Sequence, residues 1–163
     1  CHWCDVKESW HAETHPPTTI QEIVTNAKKL AKTVVVTGGE PLMWNMNPLT
    51  TLLKQNELRI HIETSGAYDV TGDWDWFCLS PKKTKLPVAE AYEKANELKV
   101  IIYNKHDFQF AEEQAAMVNE NAILYLQPEW SKRNEITPLI VEYVKQNPRW
   151  MISLQTHKYI DIP

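Results

Sequence analysis

Val34-Val35-Val36-Thr37-Gly38-Gly39-Glu40-Pro41 decides how the rest of the chain is read. Three consecutive β-branched apolar residues predict a short strand, covered on both faces. The strand ends at a glycine pair, where bare backbone can approach a ligand closely. A carboxylate and a proline follow at once. The chain thus runs from a stiff core strand into a tight loop with an acidic group at the strand's C-terminal end. In parallel α/β folds that edge is where ligands sit. A turn that merely redirects the chain is the alternative for so short a motif. Cys1-His2-Trp3-Cys4, one helix earlier, favours the binding loop.

A two-residue gap lets the thiolates of Cys1 and Cys4 face one metal centre, and such pairs suit zinc or an iron–sulfur cluster. A redox dithiol uses the same spacing. The third cysteine, Cys78, sits in an apolar strand and reads as core. His2, His11 and His15 match no finger spacing, so the site as written has two ligands and is incomplete.

Working outward, Thr19-x-x-Glu22 is a capping box. Ile20, Ile23, Val24, Ala27, Leu30 and Ala31 recur at helical spacing and predict a helix of about three to four turns. Asn47-Pro48 reads as the cap and first residue of a second helix, with Leu49, Leu52 and Leu53 as its buried stripe. Leu58 to Glu63 alternates: Leu58, Ile60 and Ile62 on one face, Arg59, His61 and Glu63 on the other. His61 is read as a hydrogen-bonded histidine inside a barrel. Trp76 to Leu79 is a strand ending in Ser80-Pro81-Lys82. A helix follows near Val88 to Asn96, then an apolar strand over Leu98 to Tyr103. Asp107 reads as the cap of a helix carrying Phe108, Ala111, Ala115 and Val118. Ala122 to Leu126 is a strand ending in Gln127-Pro128. Thr137-Pro138 starts a helix, and Trp150 to Leu154 is the last strand, before Gln155-Thr156-His157-Lys158.

Six strands alternating with about five helices predict a parallel sheet. One edge of it would carry Thr37, Gly38, Gly39, Glu40, Glu63, Thr64, Ser65, Ser80, Lys82, Gln127 and His157. The bulk numbers agree with a globular α/β domain. The chain has 163 residues, the size of one domain, and is 43% hydrophobic. Its net charge is −4, with no basic run dense enough for a nucleic-acid footprint. No apolar stretch is long enough to span a bilayer. Three cysteines, an odd count, argue against a disulfide framework and for a reduced, cytosolic compartment. The seven tryptophans are expected in the core and in pocket walls.

In these residues the chain resembles the radical S-adenosylmethionine enzymes, and among them the 7-carboxy-7-deazaguanine synthases. The likeness runs through Cys1-His2-Trp3-Cys4-Asp5, Thr37-Gly38-Gly39-Glu40-Pro41, Glu63-Thr64-Ser65-Gly66, Ser80-Pro81-Lys82 and Ser153-Leu154-Gln155-Thr156-His157-Lys158, to Ile162-Pro163. Gly-Gly-Glu-Pro is specific only to the superfamily; the Leu-Gln-Thr-His-Lys ending is more specific to the synthases. The resemblance implies a partial, open version of the β/α TIM-like barrel. It implies a [4Fe–4S] cluster on three cysteines, of which Cys1 and Cys4 match the second and third, and S-adenosylmethionine chelated to the open iron. One-electron cleavage of that cofactor would give a 5′-deoxyadenosyl radical. The radical would take a hydrogen atom from C6 of 6-carboxy-5,6,7,8-tetrahydropterin, and ring contraction with loss of ammonia would follow.

Position by position, Gly38, Gly39 and Glu40 match the segment that receives the cofactor's amino group. Ser80, Lys82 and Gln127 match further cofactor contacts. Thr37 and His157 match pterin contacts, and Pro163 matches a residue whose own carboxylate reaches the pterin. The family's usual threonine ligand for Mg²⁺ falls at Val6, which has no oxygen donor, while Mg²⁺ needs oxygen ligands. The resemblance also implies a homodimer and a flavodoxin-like or ferredoxin-like electron donor. Because the chain opens on Cys1, inside a motif, residues 1–163 are expected to be one core domain lacking its N-terminal segment, with the first strand and first cysteine upstream, and inactive alone. Two other readings stand beside this one. A glycyl-radical-activase-like protein would need a surface for a protein substrate. A non-catalytic Cys-x-x-Cys module would hold zinc and lack iron–sulfur absorbance.

Overall fold

The computed structural model describes Glu13 and residues 16–162, so the expectations placed on Cys1, Cys4, Val6 and Pro163 lie outside the described residues. Six parallel strands lie side by side in sequence order: β1 (Thr33–Val36), β2 (Arg59–Thr64), β3 (Trp76–Leu79), β4 (Glu97–Ile102), β5 (Ile123–Pro128) and β6 (Trp150–Ile152). The helices are α1 (Ile20–Leu30), α2 (Asn47–Gln55), α3 (Ala89–Lys94), α4 (His106–Ala115), α5 (Arg133–Gln146) and α6 (Thr156–Tyr159). The sheet does not close, and β1 and β6 each pair with one strand among those described. This is the open α/β arrangement expected from the sequence.

Register sorts the two faces. Ile62 pairs with Phe77, Leu79 with Leu98, and Val100 with Leu126. These side chains are 0–2% exposed and join Trp150, Ile136 and Ile140 in the main core under α3, α4 and α5. A smaller core gathers Val24, Leu53, Leu58 and Ile60 beneath α1 and α2. The opposite face pairs His61 with Trp76, Glu63 with Cys78, Cys78 with Glu97, and Lys99 with Tyr125. A parallel sheet normally hides apolar residues on both faces. Here one face is apolar and the other is studded with charge, as the inside of an open barrel requires.

Local chemistry explains the elements. The Thr19 hydroxyl caps α1 by accepting the Glu22 N–H at 3.2 Å. The apolar stripe of α2 packs as expected, with Leu53 buried and Leu49 and Leu52 half-buried. No helix joins β2 to β3. Residues 65–75 make the crossover alone, with Tyr68, Val70 and Trp74 covering the core where a helix would otherwise lie. Asp75 locks that short crossover, accepting from the Ile60 N–H at 2.7 Å and the Lys54 ammonium at 2.5 Å.

Several local expectations are corrected. β1 is not covered on both faces: Val35, in register with His61 on the inner face, is 51% exposed, while Val34 and Val36 pack against the smaller core on the other. Asn47 is the first residue of α2 rather than its cap, and its amide oxygen instead accepts the Gly72 N–H at 2.7 Å. Asp107 lies inside the first turn of α4, where it ties down the preceding loop. Pro138 stands within α5, five residues after its start, because the turn Trp130–Lys132 launches the helix earlier. Among the tryptophans, Trp150 is buried but Trp44 is 72% exposed.

Candidate active site

Every strand-end residue named from the sequence lines one cleft of about 1280 Å³ at the C-terminal edge of the sheet. Thr37, Gly38, Gly39 and Glu40 follow β1; Glu63, Thr64 and Ser65 end β2; Ser80 and Lys82 follow β3; Gln127 ends β5; His157 stands on α6. Parallel strands all deliver their ends to the same side, so residues 120 positions apart meet without any special contact between their elements.

Glu40 organises the loop after β1. One carboxylate oxygen accepts the Leu42 N–H at 3.1 Å and the Thr64 hydroxyl at 2.5 Å. The other accepts the Ser65 N–H at 2.8 Å and the Ser65 hydroxyl at 2.5 Å. Four donors saturate it, so the carboxylate buckles the end of β1 to the end of β2. The glycines before it keep backbone bare toward the cleft: a Cβ on Gly38 or Gly39 would meet nothing within 4 Å. Gly38 also has φ +120, a conformation that side chains disfavour.

Lys82 is prearranged. Its ammonium donates to the Ser80 carbonyl at 2.7 Å and to the Ser80 hydroxyl at 2.8 Å. Burial, and next the Lys99 ammonium, push its pKa down to about 8. Gln127 is buried, and its amide oxygen accepts the Ser153 hydroxyl at 3.2 Å. Thr37 and His157 are exposed at the rim. Trp130 anchors the far wall, with the Tyr159 ring edge-on at 5.1 Å and the Arg133 guanidinium 4.1 Å above it.

Beside Glu63, the cleft floor holds two charges the sequence reading does not single out, Lys99 and Glu97. Lys99 donates to Glu63 at 2.9 Å, and the two with Glu97 line the cleft. Glu97 accepts from the Cys78 thiol at 3.1 Å and from the Trp76 indole at 3.0 Å. Cys78 is buried as expected, and burial pushes its thiol far above the ordinary value, but it faces this charged layer. Burial alone would lower the Lys99 pKa; the surrounding acidic groups outweigh it and raise it. The period-2 pattern Glu97-Leu98-Lys99-Val100 carries the signal, which the apolar residues of this strand mask. His61 lies on the same inner face, but its buried Nε2 has no hydrogen-bond partner among the described residues, which corrects the expectation of a bonded histidine.

Among the described residues no three His, Cys, Asp or Glu side chains gather as a metal site, and no helix is long and apolar enough to cross a membrane. No family model matches the chain. It is 73% identical over 163 residues to the 7-carboxy-7-deazaguanine synthase of Flavobacterium psychrophilum, covering 100% of this chain and 78% of that protein. It is 47% identical over 163 residues to the 7-carboxy-7-deazaguanine synthase of Synechocystis, covering 99% of this chain and 78% of that protein. The fold superposes on a crystal structure of QueE from Escherichia coli with a TM-score of 0.79 and 27% identity, covering 95% of this chain and 79% of that one. With its cleft built from Gly38-Gly39-Glu40, Ser80-Pro81-Lys82 and the ends of an open parallel sheet, the chain belongs to the 7-carboxy-7-deazaguanine synthase family.

Proposed function

We propose that this chain forms 7-carboxy-7-deazaguanine from 6-carboxy-5,6,7,8-tetrahydropterin, with loss of ammonia, in 7-deazapurine (queuosine) biosynthesis. The observation that carries the reading is the convergence of all the strand-end polar residues on one wide cleft in a chain of this family. The residues fit a sulfonium cofactor. The bare backbone of Gly38 and Gly39 leaves room that a Cβ would fill, and the preset Lys82 ammonium supplies a cation for a carboxylate. Bound there with a [4Fe–4S] cluster, S-adenosylmethionine supplies one-electron chemistry that no side chain can provide.

The chain's own residues position and enclose. Cys1 and Cys4 are assigned as two of the cluster's thiolate ligands. Gly38 and Gly39 receive the cofactor's amino group, and Glu40 acts by holding their loop to β2. Ser80, Lys82 and Gln127 meet the rest of the cofactor. Thr37 and His157 face the pterin, and Pro163 is assigned to the same substrate. The assignment further takes residues 1–163 as one core domain working in the cytoplasm as a homodimer, fed by a flavodoxin-like or ferredoxin-like donor. Mg²⁺ is a candidate ion, for which the Val6 side chain offers no oxygen.

The test is anaerobic reconstitution of the cluster in the intact protein, then reduction with S-adenosylmethionine and the tetrahydropterin. Release of 7-carboxy-7-deazaguanine is expected; a cluster-loaded protein that leaves both compounds unchanged overturns the reading. A comparison of initial rates with and without Mg²⁺ addresses the ion.

A pH dependence follows from Lys82. Its ordinary pKa of 10.5 is lowered to about 8, so the charged form that attracts a carboxylate is present below that value and lost above it. Above pH 8, calorimetric affinity for S-adenosylmethionine should fall about tenfold per pH unit as Lys82 loses its charge. Lys82→Met should bind weakly and without that slope. A slope that persists in Lys82→Met would assign the titration to another group.

A further inference from the structure

The segment after β3 is tied on two sides. Toward the cleft, Lys82 bonds back to Ser80 at 2.7 and 2.8 Å, and Lys82 bridges to Lys85 in antiparallel fashion. Away from the cleft, the next residue, Lys83, donates to Asp107 at 2.5 Å. Asp107 is 5% exposed, and its other oxygen accepts the N–H groups of Tyr103 and Asn104, both at 2.8 Å. Burial alone would raise the Asp107 carboxyl; the Lys83 ammonium and the two backbone donors outweigh it and hold it below the usual carboxylate range. The Lys85 ammonium lies 3.5 Å from the centre of the Tyr68 ring, which itself lines the cleft.

Exposed ion pairs generally contribute little, because two mobile side chains must be ordered together. This pair differs. Asp107 is already immobilised by its backbone donors at the start of α4, so the acid is a fixed post to which Lys83 alone must be tethered. A tether one residue from Lys82 sets the backbone that carries Lys82. Sites presented by loops lose precision unless a surrounding shell holds them.

We propose that Asp107, through Lys83, is a positioning residue that clamps the 80–85 segment to α4 and so places the Lys82 ammonium at the cleft floor for the carboxylate of the sulfonium cofactor. The proposal rests on the cofactor reading given under Proposed function. It differs from a purely structural role in touching one substrate and not the other. Removing Lys83 leaves Asp107 with its two backbone partners, so the fold survives while the loop is released.

The experiment uses the intact, cluster-loaded protein and the variants Lys83→Met and Lys83→Arg. Lys83→Met should weaken calorimetric S-adenosylmethionine binding about five- to tenfold, the size of one net hydrogen bond. Its KM for the cofactor should rise with kcat and the pterin KM unchanged, and its Tm should move by less than about 2 °C. Lys83→Arg, which can still pair with Asp107, should restore the parent affinity. In the ligand-free protein, amide exchange over 80–85 should quicken in Lys83→Met alone. Parent-like binding and exchange in Lys83→Met overturn the clamp, as does failure of Lys83→Arg to rescue. A parent protein that does not bind S-adenosylmethionine overturns the functional reading instead, and the exchange data then judge the clamp alone.

Discussion

Glu40→Ala is expected to cut reductive cleavage of S-adenosylmethionine at least about 100-fold and to destabilise the fold by about 2–4 kcal/mol. The carboxylate joins two strand ends: Leu42 and the Ser65 backbone both donate to it, as do two hydroxyls. Removing it frees the Gly38-Gly39 loop and leaves Thr64, 3% exposed, without its acceptor. Water entering from the open cleft limits the stability cost, so the larger effect is on the cofactor. Glu40→Gln is a sharper control. Whichever way the amide turns, its NH₂ group faces one N–H donor, so about 1–2 kcal/mol should still be lost. Urea unfolding and 5′-deoxyadenosine release measure the two effects. Wild-type cleavage by Glu40→Ala would show that the loop keeps its shape unaided.

Gly66→Ala is expected to cost at least about 3 kcal/mol and to yield little folded protein. Gly66 has φ +70, and an added Cβ would lie 2.4 Å from Leu79 Cδ1 and 2.9 Å from Ala91 Cβ. Both neighbours are 0% exposed, so neither can swing into solvent. Two costs therefore add: a left-handed backbone and an overfilled core. The same residue donates its N–H to Thr64 Oγ1 at 3.0 Å and accepts the Val88 N–H at 2.8 Å, so it cannot shift without loosening the approach to α3. Gly39→Ala makes the contrast, since its Cβ would enter open space. That variant should keep its denaturant midpoint and lose cofactor affinity. Denaturation midpoints of the two variants separate core glycine from cleft glycine; equal midpoints would contradict this division.

Much of the architecture could be read along the chain. Strand–helix alternation and the polar group after nearly every strand led to an open parallel sheet with one functional edge, and the cleft collects those very residues. The errors have a common origin. Val34 to Val36 suggests a strand covered on both faces because β-branched runs report burial only on average, and which face stays open, here that of Val35, is not written in a strand's own residues. Asn47 and Asp107 looked like caps because their residue type suits a cap. Each found another partner, the Gly72 N–H in one case and the Tyr103–Asn104 loop with Lys83 in the other. Pro138 looked like a helix start because proline fits there, but the turn of Trp130–Lys132 had already begun the helix.

Family, sheet type and the chemistry-bearing loops were determined by the sequence itself, since periodicity, glycine placement and motif spacing are local properties of the chain. Tertiary structure alone decided that Glu40 is saturated by β2, that Lys99 meets Glu63, that His61 Nε2 stays unpartnered, and that Lys83 reaches α4. Those facts depend on the register between strands and on which distant donor arrives within about 3 Å of which acceptor. No stretch of sequence carries that distance.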